Sequence, residues 1–367
     1  MSKLRPTPPD WGFFRQALLG WFRPERRPMP WKGVRDPYRV WLSEIILQQT
    51  RVEQGRPYYE RFVVAYPTVT DLAAAADDAV LKLWEGLGYY SRARNLLRAA
   101  RTVAYEMGGE FPDTYAGLLA LPGVGPYTAA AIASFAFDRP TPVLDGNVFR
   151  ILARYAGDAT PTDTTPGKRH FGELVARALG DAHARRFNQA IMDFGALVCT
   201  PKAARCTDCP LATACHARRS GTVYELPTKK KKPQRRTRYF NYLVVRDGAG
   251  RTLVEQRGDG DIWAGLYQFP LLETARPDPP LDELAGHPDW PATLPPGRLR
   301  FLRSSPPYRQ QLTHQTIVGR FHTFVFRPPP PAGGEQWAKS NKMLENLAFP
   351  RLITRFLADK SLFLDLF

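Results

Sequence analysis

The chain has 367 residues, and its 51 Lys and Arg against 35 Asp and Glu leave a formal net charge of +16. This length predicts two or three domains, and a hydrophobic fraction of 44% excludes a wholly disordered chain. No apolar run approaches the roughly 18 residues of a membrane span. The positive charge favours a polyanionic partner, with nucleic acid preferred over an anionic membrane surface.

The N-terminal residues and the cysteines indicate the compartment. Lys3, Arg5 and three prolines precede Trp11 without a hydrophobic segment, which predicts no secretory signal and a cytoplasmic protein, nucleoid-associated in a bacterium. The four cysteines all lie within 17 residues, whereas a disulfide framework would join distant segments. They predict one metal or cluster site.

The first 215 residues are predicted to be mostly helical, and the residues from Arg238 onward to be rich in β-strands. Helices are predicted after Asp10, after Asp36-Pro37, and over Leu72–Leu83, Arg92–Met107, Tyr115–Leu121, Tyr127–Phe137, Val148–Tyr155 and Arg186–Cys199. Residues 229–238 contain seven Lys or Arg and no acid, which predicts a linker that is either a solvated spacer or a phosphate-contacting segment. Beyond it, strands are predicted over Tyr239–Val245, Thr252–Glu255, Gly265–Phe269, Thr316–Arg320 and Thr323–Phe326, a loop over 275–296 and a helix over Leu347–Leu357.

A glycine-rich turn separates two of the predicted helices. Gly123, Val124 and Gly125 lie between the end of one helix and Pro126, which begins the next. Backbone amides at such a helix N-terminus bind phosphate without side chains. In a strongly basic chain this arrangement resembles the helix–hairpin–helix element, which contacts the DNA backbone without reading its sequence.

Two carboxylates stand out in the helical region. Asp145 directly precedes a predicted helix and is expected to cap it, and hydrogen bonds from backbone amides would keep it ionised. Glu44 shares a helical stripe with Trp41 and Gln48; it lies either at an exposed rim or partly buried, where its pKa would rise towards neutrality. An acid of this kind beside an ionised Asp is the pair that cleavage of a glycosidic C–N bond needs.

The cysteine spacing bears on the metal. Cys199, Cys206, Cys209 and Cys215 are spaced C-x6-C-x2-C-x5-C. Zinc sites commonly pair two short C-x2–4-C units, and only one is present here. Ligation by four thiolates in uneven loops favours an iron–sulfur cluster over zinc, although the spacing alone leaves zinc open.

The chain resembles the endonuclease III superfamily of DNA base-excision glycosylases, and within it the adenine DNA glycosylases. The resemblance rests on three motifs in this order: the hairpin, the Leu-Asp-Gly-Asn stretch that ends at Asn147, and the four cysteines. Further matches are Pro30-Trp31, Trp41–Val52, Gly86–Tyr90, Phe187–Ala190 and Trp263–Pro270. The resemblance implies a mostly α N-terminal glycosylase domain over 1–220 with a cluster loop at 199–215. A basic linker over 221–237 and an α+β Nudix-like recognition domain over 238–367 would follow.

The resemblance also implies a function. The protein would act as a monomer on double-stranded DNA, with no membrane partner, and excise adenine mispaired with 8-oxoguanine or guanine after flipping it out of the duplex. Glu44 would protonate adenine N7 and Asp145 would stabilise the oxocarbenium ion, with support from Tyr127 and Asn147. Trp31, Leu47 and Gln189 would form the adenine pocket. Gln49 and Tyr89 would wedge into the duplex on the side of the partner strand, and Gly123, Val124 and Gly125 would bind a DNA phosphate. Thr313 and His314 would recognise 8-oxoguanine, and one 4Fe–4S cluster would be held by Cys199, Cys206, Cys209 and Cys215.

Individual residues distinguish this function from two alternatives. Superfamily members that also cut the DNA backbone use a lysine amine at the position of Tyr127, so tyrosine predicts a monofunctional glycosylase rather than a bifunctional glycosylase/lyase. A non-catalytic DNA-binding iron–sulfur protein would need neither Glu44 nor Asp145. The stretch after Pro270 lacks the glutamate cluster of a hydrolytic Nudix box, which favours recognition over hydrolysis in the C-terminal domain.

Overall fold

A computed structural model describes residues 8–230, 235–248, 250–327, 337–339 and 341–359. The chain divides into two compact units. The helical unit comprises Met1–Ala74 and Arg98–Lys231, and the mixed unit comprises Ala75–Leu97 and Lys232–Phe367. Among the described residues, no helix combines the length and apolar character needed to cross a membrane.

The described α-helices before the sheet are α1 (Trp11–Trp21), α2 (Pro37–Leu47), α3 (Val52–Ala65), α4 (Val69–Ala74), α5 (Asp77–Leu83), α6 (Ser91–Arg101), α7 (Tyr115–Ala120), α8 (Pro126–Phe135), α9 (Gly146–Ala156), α10 (Thr165–Leu179), α11 (Ala184–Leu197) and α12 (His216–Arg219). Helices α3, α10 and the one-turn α12 were not predicted. The single helix predicted over Leu72–Leu83 is two helices, because the backbone of Ala76 is extended and Asp77 and Asp78 begin a new first turn. Acidic residues are favoured at that end of a helix dipole.

The core of the helical unit is built around α2 and α8. The cap on α2 is Asp36, whose carboxylate accepts a hydrogen bond from the backbone N–H of Tyr38, and Pro37 follows as its first residue. Trp41, Leu42 and Ile46 are fully buried, so α2 is apolar over most of its circumference. Helix α8 contributes the buried alanines Ala129, Ala130, Ala131 and Ala133, whose small side chains let neighbouring helices pack closely.

The predicted basic linker over 221–237 is divided by the structure. Residues 221–230 pack on the helical unit: the carbonyl of Thr228 accepts a hydrogen bond from the Thr162 amide at 3.2 Å, and the Lys230 amide donates to the Asp163 carboxylate at 3.0 Å. Residues 231–234 lie outside the described residues. The first strand of the mixed unit begins at Arg236.

The mixed unit is organised around two long parallel strands. The strands are β1 (Arg236–Arg246), β2 (Thr252–Leu253), β3 (Glu255–Gln256), β4 (Tyr267–Gln268), β5 (Leu271–Thr274), β6 (Leu299–Ser304), β7 (Tyr308–Gln311), β8 (Gln315–Phe326) and β9 (Trp337–Lys339). Strands β1 and β8 pair in parallel from Arg236 opposite Gln315 to Arg246 opposite Val325. Antiparallel β6 and β7 extend the sheet beyond β8, β5 and β2 extend it beyond β1, and β9 pairs with β2. Strands β3 and β4 form a separate two-stranded sheet.

Apolar clusters cover both faces of this sheet. One contains Tyr242, Phe269 and Phe321 and is closed by α15 (Arg351–Leu357), while the other contains Leu243, Val245 and Phe324. The remaining described helices are α13 (Leu281–Ala285), inside the predicted loop over 275–296, and α14 (Asn341–Leu344). The two strands predicted over Thr316–Phe326 are one strand, and the helix predicted from Leu347 begins only at Arg351, because Pro350 favours the position just before a helix.

Candidate active site

A cavity of about 1160 Å³ opens within the helical unit. Its walls come from the α1–α2 connection, from α2, and from the facing ends of α8, α9 and α11. The structure brings together eight of the residues predicted for the site in its lining: Trp31, Glu44, Leu47, Gln49, Tyr127, Asp145, Asn147 and Gln189. They come from five separated stretches of sequence, so the predicted catalytic and base-binding residues share one space.

Glu44 is buried in the wall of this cavity. Its residue is 8% exposed, and burial raises the pKa of the Glu44 carboxyl from 4.5 to about 7. A hydrogen bond with Tyr127 opposes this shift, and the negative charge of Asp145 adds to it. Of the two positions considered for Glu44, the buried one is confirmed. A carboxyl with this pKa is protonated in a substantial fraction of molecules near neutral pH and can donate a proton.

Asp145 is the N-cap of α9, as predicted. Its carboxylate accepts hydrogen bonds from the Val148 amide at 2.8 Å and from Asn147 Nδ2 at 2.8 Å. Burial nevertheless raises the pKa of Asp145 above its usual value, while these bonds and the charge of Arg150 act to lower it. The hydrogen bonds predicted to keep Asp145 ionised are present and lower its pKa, but desolvation is the largest influence and acts in the opposite direction.

A line of hydrogen bonds runs from Asp145 along one face of α9 towards the cysteine loop. Asn147 donates to Asp145, and Asn147 Oδ1 accepts from Arg150 Nη2 at 2.8 Å. The same guanidinium donates from Nε to the carbonyl of Cys199 at 2.7 Å. One turn further on, Arg154 Nη1 lies 3.4 Å from the Cys199 sulfur. Arg150 was not predicted as a site residue, although its position three residues after Asn147 would have indicated a shared helix face.

The four cysteines lie near one another at the end of the helical unit. Burial raises the pKa of the Cys209 thiol to about 12, and the charges of Cys199, Cys215 and Cys206 raise it further. The four thiols are therefore close enough to influence one another's ionisation. In the part of the chain that the structure describes, no three His, Cys, Asp or Glu side chains are grouped as they would be around a single metal ion.

The hairpin between α7 and α8 has the geometry predicted for a phosphate contact. Gly123 has φ of +75°, a conformation that glycine adopts without strain. Val124 is buried and anchors the turn, and its amide donates to the Leu121 carbonyl at 3.1 Å. Gly125 is the N-cap of α8 and no side chain caps that end, so the first amides of the helix have no partner within the helix.

Both residues predicted to wedge into the duplex have unusual backbones. Gln49 has φ of +56° and Tyr89 has φ of +48°, which is uncommon for residues other than glycine. Strain of this kind is concentrated at functional sites. Gln49 lines the cavity of the helical unit, whereas Tyr89 belongs to the mixed unit, where 46% of it is exposed.

Thr313 and His314 lie in the turn between β7 and β8 of the mixed unit. Both are exposed, and the turn is closed by a hydrogen bond from the Leu312 amide to the Gln315 carbonyl at 2.8 Å. The Thr313 hydroxyl makes a short hydrogen bond with the hydroxyl of Tyr89. Within this unit, the structure thus joins a residue predicted to enter DNA to one predicted to read the damaged base.

A group of charged residues at the cavity wall was not predicted from the sequence. Asp193 on α11 is fully buried and pairs with Lys32 Nζ at 2.6 Å and with Arg27 Nη1 at 3.2 Å. It also accepts a hydrogen bond from Gln189 Nε2 at 3.1 Å. The four-residue spacing of Gln189 and Asp193 was visible in the sequence, but the two cations come from the α1–α2 connection.

The N-terminal and the C-terminal parts of the chain each match a known protein family. The family described as HhH-GPD superfamily base excision DNA repair protein matches residues 42–176, and the NUDIX domain family matches residues 241–359. A protein of Buchnera aphidicola subsp. Baizongia pistaciae named adenine DNA glycosylase is 34% identical over 262 residues, which cover 70% of this chain and 73% of that protein.

Mammalian proteins of the same name also match. The mouse protein is 36% identical over 310 residues, which cover 71% of this chain but only 60% of its own length. Among solved structures, one titled as a thermostable thymine-DNA glycosylase has 29% identity and a TM-score of 0.52, and the match covers 59% of this chain and 96% of that one.

Proposed function

The chain belongs to the adenine DNA glycosylases, and we propose from its site that it removes adenine mispaired with 8-oxoguanine in duplex DNA. As a DNA glycosylase of base excision repair, it cleaves the bond between the base and its sugar. The observation that carries the proposed mechanism is Glu44, a buried carboxyl with a pKa of about 7 beside Asp145 and Tyr127. This combination suits protonation of a leaving purine next to a group that tolerates a developing positive charge.

Glu44 acts as the general acid. A purine leaves as a neutral base only if a ring nitrogen is protonated as the C–N bond breaks, and a carboxyl with a pKa near 7 is protonated often enough to donate. The bond with Tyr127 orients this carboxyl. The proton moves from Glu44 to adenine N7, and the electrons of the C–N bond go to the base.

Asp145 acts on the sugar. Loss of the base leaves an oxocarbenium ion, which a nearby carboxylate stabilises until water attacks. Hydrogen bonds from Val148 and Asn147 hold the Asp145 carboxylate in one orientation and favour its ionised form. Because Tyr127 has no amine, no Schiff base forms with the sugar, and the enzyme leaves an abasic site with an intact backbone.

The remaining groups bind the DNA. The adenine is flipped into the cavity, where Trp31, Leu47 and Gln189 contact it. Gln49 and Tyr89 each wedge into the duplex on the side of the partner strand, and the amides of the turn from Gly123 to Gly125 hold a backbone phosphate. Trp31 is supported at its edge by Tyr59, with ring centroids 5.1 Å apart, which supports its use as a rigid wall.

The mixed unit serves recognition rather than hydrolysis. Thr313 and His314 are exposed in one turn and offer both a donor and an acceptor to the edge of 8-oxoguanine. The one glutamate of β5, Glu273, accepts hydrogen bonds from Arg238 at 2.7 and 2.6 Å, so a structural ion pair occupies it. This arrangement does not favour binding of a catalytic magnesium ion.

We propose that the four cysteine thiols hold a 4Fe–4S cluster, which their number, their spacing and their effect on one another's pKa support. Cys199, Cys206, Cys209 and Cys215 would hold it as thiolates, and Arg154 beside Cys199 would compensate part of their negative charge. When bound, the cluster supplies four covalent ties that order residues 199–215. The purified protein should absorb broadly at about 400 nm, and a Cys209→Ser variant should lose this absorbance together with its iron. Stoichiometric zinc in the purified protein would refute the cluster.

The decisive experiment uses duplexes with adenine opposite 8-oxoguanine, treated with alkali after single-turnover incubation. Wild type should release adenine and leave an alkali-sensitive abasic site, while Glu44→Gln should bind the duplex without excision. Glu60→Gln, at an exposed glutamate of α3, is the matched control and should retain wild-type excision. Strand cleavage by wild type before alkali, or a covalent adduct trapped by borohydride, would contradict the monofunctional mechanism.

A further inference from the structure

We propose that Asp193, a buried carboxylate outside the catalytic pair, is the positioning residue that makes the cavity select adenine over 6-oxopurines. This inference rests on the proposed function and adds a determinant of its specificity. Asp193 lies behind the cavity wall: its side chain is 1% exposed, while its three partners, Arg27, Lys32 and Gln189, all line the cavity. A carboxylate this buried is stable only when its oxygens are satisfied by donors.

Asp193 determines which end of the Gln189 amide faces the base. Gln189 precedes Asp193 by four residues on α11, so the two side chains lie on one face of the helix. An ionised carboxylate only accepts hydrogen bonds, and it therefore holds the Gln189 amide nitrogen, Nε2, at 3.1 Å. The amide oxygen, Oε1, is left for the cavity as an acceptor.

Lys32 and Arg27 contact the Asp193 carboxylate in different ways. Lys32 has three N–H donors, and all three are used, towards Asp193 and towards the carbonyls of Pro24 and Arg27 at 2.8 and 2.9 Å. It thus anchors the α1–α2 connection to α11. Arg27 contacts Asp193 through Nη1 and also lines the cavity, so its other N–H donors can serve a base bound there.

The resulting wall presents an acceptor from Gln189 beside a cationic donor from Arg27. Adenine offers the complementary pattern on its Watson–Crick edge, with an amino donor at position 6 and an acceptor at N1. Hypoxanthine reverses both groups, with a carbonyl at position 6 and N1–H. A site built to satisfy one pattern strongly rejects the other, because its buried polar groups are left unpaired. Both purines carry N7, so proton donation by Glu44 does not distinguish them.

The test compares single-turnover excision of adenine and of hypoxanthine opposite 8-oxoguanine in otherwise identical duplexes. Wild type should prefer adenine, and Asp193→Asn should lower the ratio of the two rates by about 10- to 100-fold, because an amide at position 193 allows Gln189 to reverse its own amide. In a Gln189→Ala background, the Asn substitution should not change the ratio further. A purely structural role would slow both reactions alike and leave the ratio unaltered.

Asp158→Asn is the matched control, since Asp158 is a partly buried carboxylate of the same unit that pairs with His170 and lies outside the cavity lining. It should keep the wild-type ratio. If Asp193→Asn does not fold, Asp193→Asn with Lys32→Met removes the unpaired cation as well and should show the same lowered ratio.

The outcomes separate the two proposals. Failure of wild type to excise adenine refutes the proposed function. Excision by wild type with no preference for adenine, or with a preference that both Asp193 variants retain, refutes the role of Asp193 alone.

Discussion

Replacing Glu44 by Gln should stabilise the protein increasingly as pH rises. Burial raises the pKa of this carboxyl from 4.5 to about 7, so the folded protein holds the proton more tightly than the unfolded chain does. The stability that comes with the bound proton is complete below the unfolded pKa and is lost as pH rises through the folded one. Glutamine is never ionised and escapes this loss.

The size of the effect follows from the two pKa values. At about 1.36 kcal/mol for each pH unit, a rise from 4.5 to about 7 corresponds to about 3 kcal/mol in the free energy of unfolding. About 2 kcal/mol of this stability is lost between about pH 5.5 and about pH 8.5. The rest is lost below about pH 5.5, because the unfolded carboxyl ionises there while the folded one keeps its proton. Asp145 is present in both proteins, so its own titration largely cancels in the comparison.

The assay is denaturant unfolding of wild type, Glu44→Gln and the exposed control Glu60→Gln at about pH 5.5 and about pH 8.5. The stability difference between Glu44→Gln and wild type should grow by about 2 kcal/mol between the two conditions. Glu60→Gln should follow wild type at both. A difference for Glu44→Gln that does not change with pH would refute burial of an ionisable Glu44 as the origin of its raised pKa.

Three further outcomes are expected. The single-turnover rate of adenine release should fall as pH rises through about 7, the pKa of Glu44, because only the protonated carboxyl donates; a flat profile would assign the proton to another group. Arg150→Met should slow excision about tenfold or more by releasing Asn147, with Arg150→Lys recovering only part of the rate, and an unaltered rate would show that the link from Asn147 to Cys199 is not needed. Thr313→Ala with His314→Ala should lessen the preference for 8-oxoguanine over guanine opposite adenine while single-turnover chemistry at saturating enzyme persists, and an unchanged preference would place recognition elsewhere.

Local features of the chain were predictable because short-range chemistry determines them. Asp36-Pro37 and Asp145 begin helices wherever a capping carboxylate precedes a helical pattern, and both do so here. The turn at Gly123 needs a residue that accepts a positive φ. The cysteine spacing lies within 17 residues and could be recognised without any knowledge of the fold.

Strand boundaries in the mixed unit were less predictable. Strands β6 and β7 were missed, since exposed and partly buried residues such as Arg300 and Arg309 interrupt the apolar pattern. Their place is determined by pairing with β8, whose burial is nearly continuous because β1 lies parallel to it. Pairing between distant segments, rather than local propensity, decides such strands.

The sequence by itself determined the family, the order of its motifs and the two carboxylates that we propose as catalytic. Only the tertiary structure decided that Glu44 is buried and that it lies beside Tyr127 of α8 and Asp145, the N-cap of α9, because both are distant from it in sequence. The same holds for Asp193, whose charge is compensated by Lys32 and Arg27 from the opposite end of the helical unit's sequence. A pKa or a buried ion pair depends on what surrounds a group in space, and no local pattern encodes that.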